Sequence, residues 1–323
     1  MKEITRILII FFLVCGIVFF SYNIYSYMNG NTDNFFSIAM SNSGKKNIIG
    51  TLIEDNVKLE DSGVKGDKYD FNSLYNPYYS FLSSDGKKLY KQIYANASSY
   101  KETFVPVVDM KVDDVLEVIE SVINDHPELF WLSNTFSYRY NNKNICRQIT
   151  LSFNGTQNDA ERFNKYVDEI VNNAKKLGTV YEKELYVHDV LMELVEYDSN
   201  APNNQSAYSA IVNHRTVCAG YARAFQYIMM HLGIPTYYVT GVSEGEDHAW
   251  NIVKIGNEYY NVDVTWDDEL RDSHTLFNKT DEEFSKSHRR SPLSSKLAKC
   301  NYDTYSYKNS EEEEYSYHYV SYE

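Results

Sequence analysis

Val217-Cys218-Ala219-Gly220-Tyr221, Asp247-His248-Ala249-Trp250-Asn251 and Asn261-Val262-Asp263-Val264-Thr265-Trp266 follow one another along the chain and decide how it folds. They supply a thiol, an imidazole and a carboxylate, each at the edge of a predicted regular element. Such a set can ionise a sulfur nucleophile, orient its base and attack an acyl carbon. Cys218 opens a predicted helix whose inward face is Cys218, Ala222, Phe225, Met229 and Leu232; Gly233 and Pro235 end it, and Thr216 is the expected N-cap. A thiol in a helix's first turn meets the positive end of the dipole and unpaired N–H groups. These favour the thiolate and can hold a developing oxyanion. Taken alone, a helical cysteine is more often a small core residue.

His248 and Asp263 change that balance. Ile255-Gly256-Asn257-Glu258 reads as a hairpin with a two-residue turn. In that register Asp263 lies opposite Trp250. His248 shares their face, because strand side chains alternate. The two are diagonal neighbours within reach of each other, while Val253, Ile255, Tyr260, Val262 and Val264 take the opposite, core-facing side. A turn one residue longer would put His248 and Asp263 on opposite faces. Asp263 would fix the tautomer of His248, whose other nitrogen would face Cys218. Two other readings stay open at this level: a structural His–Asp pair on a sheet surface, and a zinc site of Cys218, His248 and Asp263. No short Cys-x-x-Cys or His-x-x-x-His pair supports zinc, so neither metal nor cofactor is expected. Trp250 and Trp266 either wall a groove or are ordinary packing aromatics. His188 is expected to be half-exposed on a helix, and His214 and Arg215 either line the cleft or belong to a solvated loop.

The chain has 323 residues, 43% of them hydrophobic, and a formal net charge of −14. That charge, with no run of Lys and Arg interleaved with aromatics, argues against a nucleic-acid partner. Lys2 and Arg6 precede an apolar run from Ile7 to Phe20 that fades towards Met28, and no further cation comes before Lys45. Residues 1–28 are therefore expected to be an uncleaved transmembrane signal-anchor, with the rest of the chain outside a cell membrane. A cleaved signal peptide, giving a secreted protein, is the competitor. Residues 29–72 are rich in Asn, Ser, Gly, Asp and Lys and read as a flexible linker. Residues 73–157 carry two amphipathic helices and the strands Thr135–Tyr140 and Ile145–Phe153, a small α/β region. Residues 158–307 carry two more helices, the Cys218 helix and three strand-like runs, Thr236–Gly241, Ala249–Ile255 and Glu258–Thr265; residues 308–323 are a Tyr/Glu-rich tail. Besides Cys15 in the apolar segment there are Cys146, Cys218 and Cys300, an odd count that suggests one reactive thiol and leaves a Cys146–Cys300 bridge open.

The three opening blocks together resemble the transglutaminase-like superfamily, in its bacterial branch. His188-Asp189 to Tyr197-Asp198, and Asp125 to Trp131, are similar to parts seen upstream in such proteins, so the resemblance spans roughly Tyr75 to Tyr307. It implies an α+β protein with a papain-like core, its nucleophile helix packed on an antiparallel sheet that carries the His and Asp. A small α/β region and the N-terminal transmembrane helix precede that core. Cys218 is implied as nucleophile, His248 as base and acid, and Asp263 as orienting group. The implied chemistry is a thioester formed at a protein or peptide amide, then transfer to an amine or to water. Gln205 and Tyr208 are the candidates for the remaining cleft and oxyanion contacts. The chain lacks the length for the β-sandwich domains of animal transglutaminases, so calcium is not implied. The expectation is a membrane-anchored, cell-surface cysteine acyltransferase or hydrolase acting on protein or peptide substrates, cell-wall components among them. The alternative is an inactive module that keeps the fold and binds peptides or wall components.

Overall fold

Apolar residues recurring every three to four positions make helices, and alternating ones make half-buried strands. The computed structural model describes residues 48–270 and 274–307. Its first part contains β1 (Ile48–Leu52), α1 (Pro77–Phe81), α2 (Ser84–Ser98), β2 (Thr103–Phe104), α3 (Val112–Asp125), β3 (Leu132–Tyr140) and β4 (Cys146–Phe153). The strands form a sheet in the order β1-β3-β4-β2. Leu89 and Ile93 of α2, Val115 and Ile119 of α3, and Phe136 and Ile149 of the sheet share one buried cluster.

The second part runs through α4 (Gln157–Ala174), α5 (Val180–Leu194), β5 (Glu196–Tyr197), α6 (Ala207–Asn213), β6 (Arg215–Thr216) and α7 (Cys218–His231). Then come β7 (Thr236–Ser243), β8 (Glu246–Ile255), β9 (Glu258–Val262), α8 (Val264–Glu269), α9 (Asp281–Phe284) and β10 (His288–Arg290). The second sheet is ordered β10-β7-β8-β9 and is antiparallel throughout. Every residue of α7 from Ala219 to Met229 is buried, as expected for a helix that is apolar nearly all round. It packs against β7 and β8 on one side and α5 and α6 on the other. This is the α+β arrangement expected of the core: the Cys218 helix on an antiparallel sheet.

The β8–β9 hairpin takes the predicted register, Asn251 opposite Val262 and Ile255 opposite Glu258, with Gly256 supplying the positive φ of the two-residue turn. The third run ends earlier than its pattern suggested. β9 stops at Val262, and Asp263 turns the chain into α8 by accepting the Trp266 N–H at 3.2 Å, so Val264 and Thr265 are helical.

Other expectations are corrected. Thr216 does not cap α7; Val217 occupies that position without a side-chain cap, and the Thr216 hydroxyl donates instead to Asn204 O at 2.6 Å. Residues 48–72, expected as spacer, are packed on the first sheet. β1 pairs parallel with β3, Gln148 Nε2 donates to Glu60 O at 2.6 Å, and Asn96 bonds both the amide and the carbonyl of Val64. Cys146 and Cys300 are buried free thiols, with no bridge between them. The expected anchor (1–28), the remainder of the linker (29–47) and the tail (308–323) lie outside the described residues. Among the described residues no helix is long and apolar enough to cross a membrane.

Candidate active site

The start of α7 is built around a close approach. Gly220 and Tyr221 bond back to Val217 O at 2.8 and 3.2 Å. The amides of Cys218 and Ala219 are then the helix's first donors, with no intrahelical carbonyl within reach. A Cβ on Gly220 would sit 1.9 Å from the Thr216 hydroxyl oxygen, so only glycine lets Thr216 brace this turn. Cys218 is half-buried and packs against Val217, Ala219, Ala222, Tyr238 and Ala249.

β8 brings the imidazole to the sulfur. Asn251 Nδ2 donates to Ala222 O at 2.9 Å and to Tyr237 O at 3.3 Å, tying β8 to α7 and to β7. One helical turn from Ala222 is Cys218, and three strand positions from Asn251 is His248. His248 Nε2 donates to Asp263 Oδ2 at 2.6 Å, and Cys218 lies near enough to favour the charged ring. Burial by itself would depress the imidazolium. The Asp263 charge and hydrogen bond outweigh burial, Cys218 adds to them, and the ring is lifted to about 10. Asp263 is 1% exposed. Burial would raise its carboxyl, but the imidazoles of His248 and His288 hold it well below the usual carboxylate range.

His288 is the residue that the sequence reading missed. It is 5% exposed at the start of β10, and its Nε2 donates to the same Asp263 oxygen at 3.0 Å, while Ser287 Oγ lies 2.7 Å from its Nδ1. One carboxylate thus accepts from two imidazoles through Oδ2 and caps a helix through Oδ1. β10 reaches this position because Gly241 on β7 has no side chain; a Cβ there would lie 2.2 Å from Arg289 O and 2.7 Å from the Trp250 ring.

The candidate cleft residues separate. Trp266 is half-buried with its ring 6.1 Å from that of His248 and 5.2 Å from that of His288, a wall of the site. Trp250 is not a groove wall. It is 1% exposed, donates to Asn261 Oδ1 at 3.2 Å and backs His248 and His288 from inside. Tyr208 is not in the cleft either: its ring stacks on Phe130 and Phe163, and its hydroxyl meets Asp159 at 3.5 Å. Gln205 lines the cavity that reaches His248. His214, left-handed at φ 58°, caps the end of α6, and exposed Arg215 pairs with Asp198 at 2.6 Å, so both serve the loop.

His188 is buried rather than half-exposed, at 0% exposure. Its Nε2 donates to Asp267 Oδ2 and its Nδ1 meets Asp189 Oδ1, each at 3.1 Å. Burial would depress the ring, and these two carboxylates raise it to about 9. Asp267 also accepts the Leu276 N–H at 2.8 Å, and Asp268 accepts the Tyr221 hydroxyl at 2.5 Å. The two acids after Trp266 therefore staple α8 to α5 and α7, which fixes Asp263 at the head of α8. Two groups of donor atoms lie close enough to hold a metal ion, His248/Asp263/His288 and His188/Asp189/His274, and Cys218 belongs to neither among the described residues.

Residues 164–264 match the family model of the transglutaminase-like superfamily. This segment therefore carries a transglutaminase-like domain. No curated protein matches the chain significantly. Among solved structures, the transglutaminase-like chain is similar to a candidate cysteine protease from Cytophaga hutchinsonii, at 22% identity and a TM-score of 0.28, over 38% of this chain and 51% of that one. It is also similar to a structure described as a TGase, at 14% identity and a TM-score of 0.32, over 50% of each chain. A third is the periplasmic domain of TgpA from Pseudomonas aeruginosa, at 14% identity and a TM-score of 0.29, over 38% of this chain and 60% of that one. The chain thus spans between about half and three-fifths of these structures. Cys218, His248 and Asp263 fall inside the matched segment; His288 and α3 fall outside it.

Proposed function

We propose that this protein is a cysteine-dependent enzyme that opens protein or peptide amides through a thioester. The observation that carries this reading is the 2.6 Å bond from His248 Nε2 to buried Asp263, made by a ring whose charge the neighbouring Cys218 at the head of α7 also favours. In the first half-reaction the Cys218 proton passes to His248 and the sulfur attacks the amide carbonyl carbon. The oxyanion forms against the first amides of α7. His248 then returns the proton to the leaving amine, or to ammonia from a carboxamide, and a thioester remains on Cys218. In the second half-reaction His248 takes a proton from water or from an incoming amine as that nucleophile attacks the thioester, and the sulfur leaves. Asp263 keeps the reactive nitrogen of His248 towards the sulfur throughout. The apolar run near the N-terminus supports an external, membrane-anchored setting for this chemistry.

The test offers the purified chain a glutamine-containing protein with a labelled amine, beside a Cys218→Ser variant. Cys218-dependent incorporation of the amine marks a transferase, ammonia release without incorporation a deamidase, and new chain ends a peptidase. Turnover that is absent, or equal in the Cys218→Ser variant, overturns the proposal and leaves the binding module.

A further inference from the structure

Beside His248 lies a cavity of about 250 Å³ whose two walls come from different parts of the chain. Tyr238 and Ala249 of the second sheet form one wall, and Leu116, Ile119 and Ile123 of α3 form the other. Cys218 packs on the cluster that holds Tyr238 and Ala249, and these two line the cavity together with His248. The structure fixes both walls. The Arg223 guanidinium lies 4.2 Å over the Tyr238 ring, and its Nη1 donates to Ile123 O at 2.6 Å. Gln226 Nε2 donates to Asn124 O at 3.0 Å, holding the end of α3 against α7. Asn124 also lines the cavity; it is 2% exposed, and its side-chain NH2 finds no acceptor among the described residues.

We propose that this cavity is a substrate subsite for an apolar side chain of leucine or phenylalanine size, flanking the carbonyl that Cys218 attacks. The proposal rests on the cysteine reading above and adds the substrate class: peptide segments with an apolar residue beside the reacting amide. The volume falls just below the roughly 300–1,000 Å³ of small-molecule sites, which suits one large side chain. Charges of both signs, Glu120 and Asp247 against Arg223, Arg289 and Arg290, also line the cavity, so a charged side chain would meet repulsion as well as attraction while giving up its hydration. The buried donor of Asn124 favours an occupant that brings an acceptor, as a peptide backbone does, over a plain hydrocarbon.

Acetyl-dipeptide chloromethyl ketones provide the test, because they alkylate a nucleophilic cysteine whatever its natural acceptor. Gly, Leu, Phe and Asp are varied in two series, at the residue that bears the ketone and at the one before it. Alkylation of Cys218 in the full chain is followed by peptide mass analysis. In one series the Leu and Phe reagents react at least about tenfold faster than the Gly and Asp reagents, the size of discrimination that an apolar pocket gives. Leu116→Trp fills the cavity and drives the Leu-to-Gly rate ratio towards one, while Leu116→Ala enlarges it and shifts preference from Leu to Phe. Flat rates in both series with Cys218 still alkylated would overturn the subsite and leave the cysteine reading standing, as would ratios unmoved by both Leu116 variants. Failure of every ketone, when iodoacetamide still labels Cys218, would overturn the reading of the thiol as nucleophile and the subsite with it.

Discussion

Replacing Asp263 with asparagine keeps the shape of the site and removes its charge. The asparagine carbonyl can still cap α8 by accepting the Trp266 N–H, a bond of 3.2 Å with the native side chain. Its NH2 then stands where Oδ2 accepted from His248 and His288. His248 Nε2 must become an acceptor, so its proton moves to the nitrogen facing Cys218, the wrong tautomer for a base. The charge matters as much. Lifting the ring from its ordinary 6.5 to about 10 corresponds to roughly 5 kcal/mol at about 1.36 kcal/mol per pH unit. Without the carboxylate, burial prevails and the imidazolium falls back. The expected loss in kcat/KM at pH 7 is roughly a thousand- to ten-thousand-fold, or about 4–5.5 kcal/mol, the same order. The pH profile carries the sign. Charged His248 contributes stability that is full below about pH 6.5 and lost as pH rises through about 10. The Asp263 carboxylate contributes stability present above about pH 3.9 and lost only in strong acid. Cys218-dependent turnover measured across pH, with a thermal melt of each variant, checks both. A folded Asp263→Asn enzyme within tenfold of wild type, with its alkaline limb unmoved, would refute the coupling.

His288→Phe removes a hydrogen bond of roughly 1.5 kcal/mol to the same carboxylate, so kcat should fall about tenfold with KM nearly constant, read by steady-state kinetics. Glu184 is fully buried and pushed up to about 8 by burial, so the stability of its neutral form is full below about pH 4.5 and lost as pH rises through about 8. Glu184→Gln keeps an acceptor for Asn278 and should melt higher than wild type at pH 9 but not at pH 4, seen by calorimetry. Gly220→Ala places a methyl against the Thr216 hydroxyl and should cost about 1–3 kcal/mol in urea unfolding, with loss of turnover.

The hairpin was legible because both its determinants are local: a two-residue turn at Gly256-Asn257 and apolar alternation on one face. Cys218 at a helix start was legible for the same reason. His288 was not, since it reaches Asp263 from 25 residues away on a three-residue strand too short to show alternation. The burial of His188 depends on Asp267, 79 residues on, and no periodicity along α5 reports that partner. Trp250 and Trp266 are alike in composition, yet one fills the space left by Gly241 while the other stays half-open on α8. Residues 48–72 looked like spacer because polar side chains such as Asn96 and Gln148 on other elements, not apolar stripes, hold them down.

The stretch that matches the superfamily carries the thiol, the imidazole and the carboxylate, but stops at Val264 and begins after α3. Of the two walls of the proposed subsite, the one on the second sheet thus lies within the matched stretch and the one on α3 lies outside it. Relatives aligned over the shared length alone will be sorted by chemistry, and two that look interchangeable there can diverge in diet through the helix that precedes it.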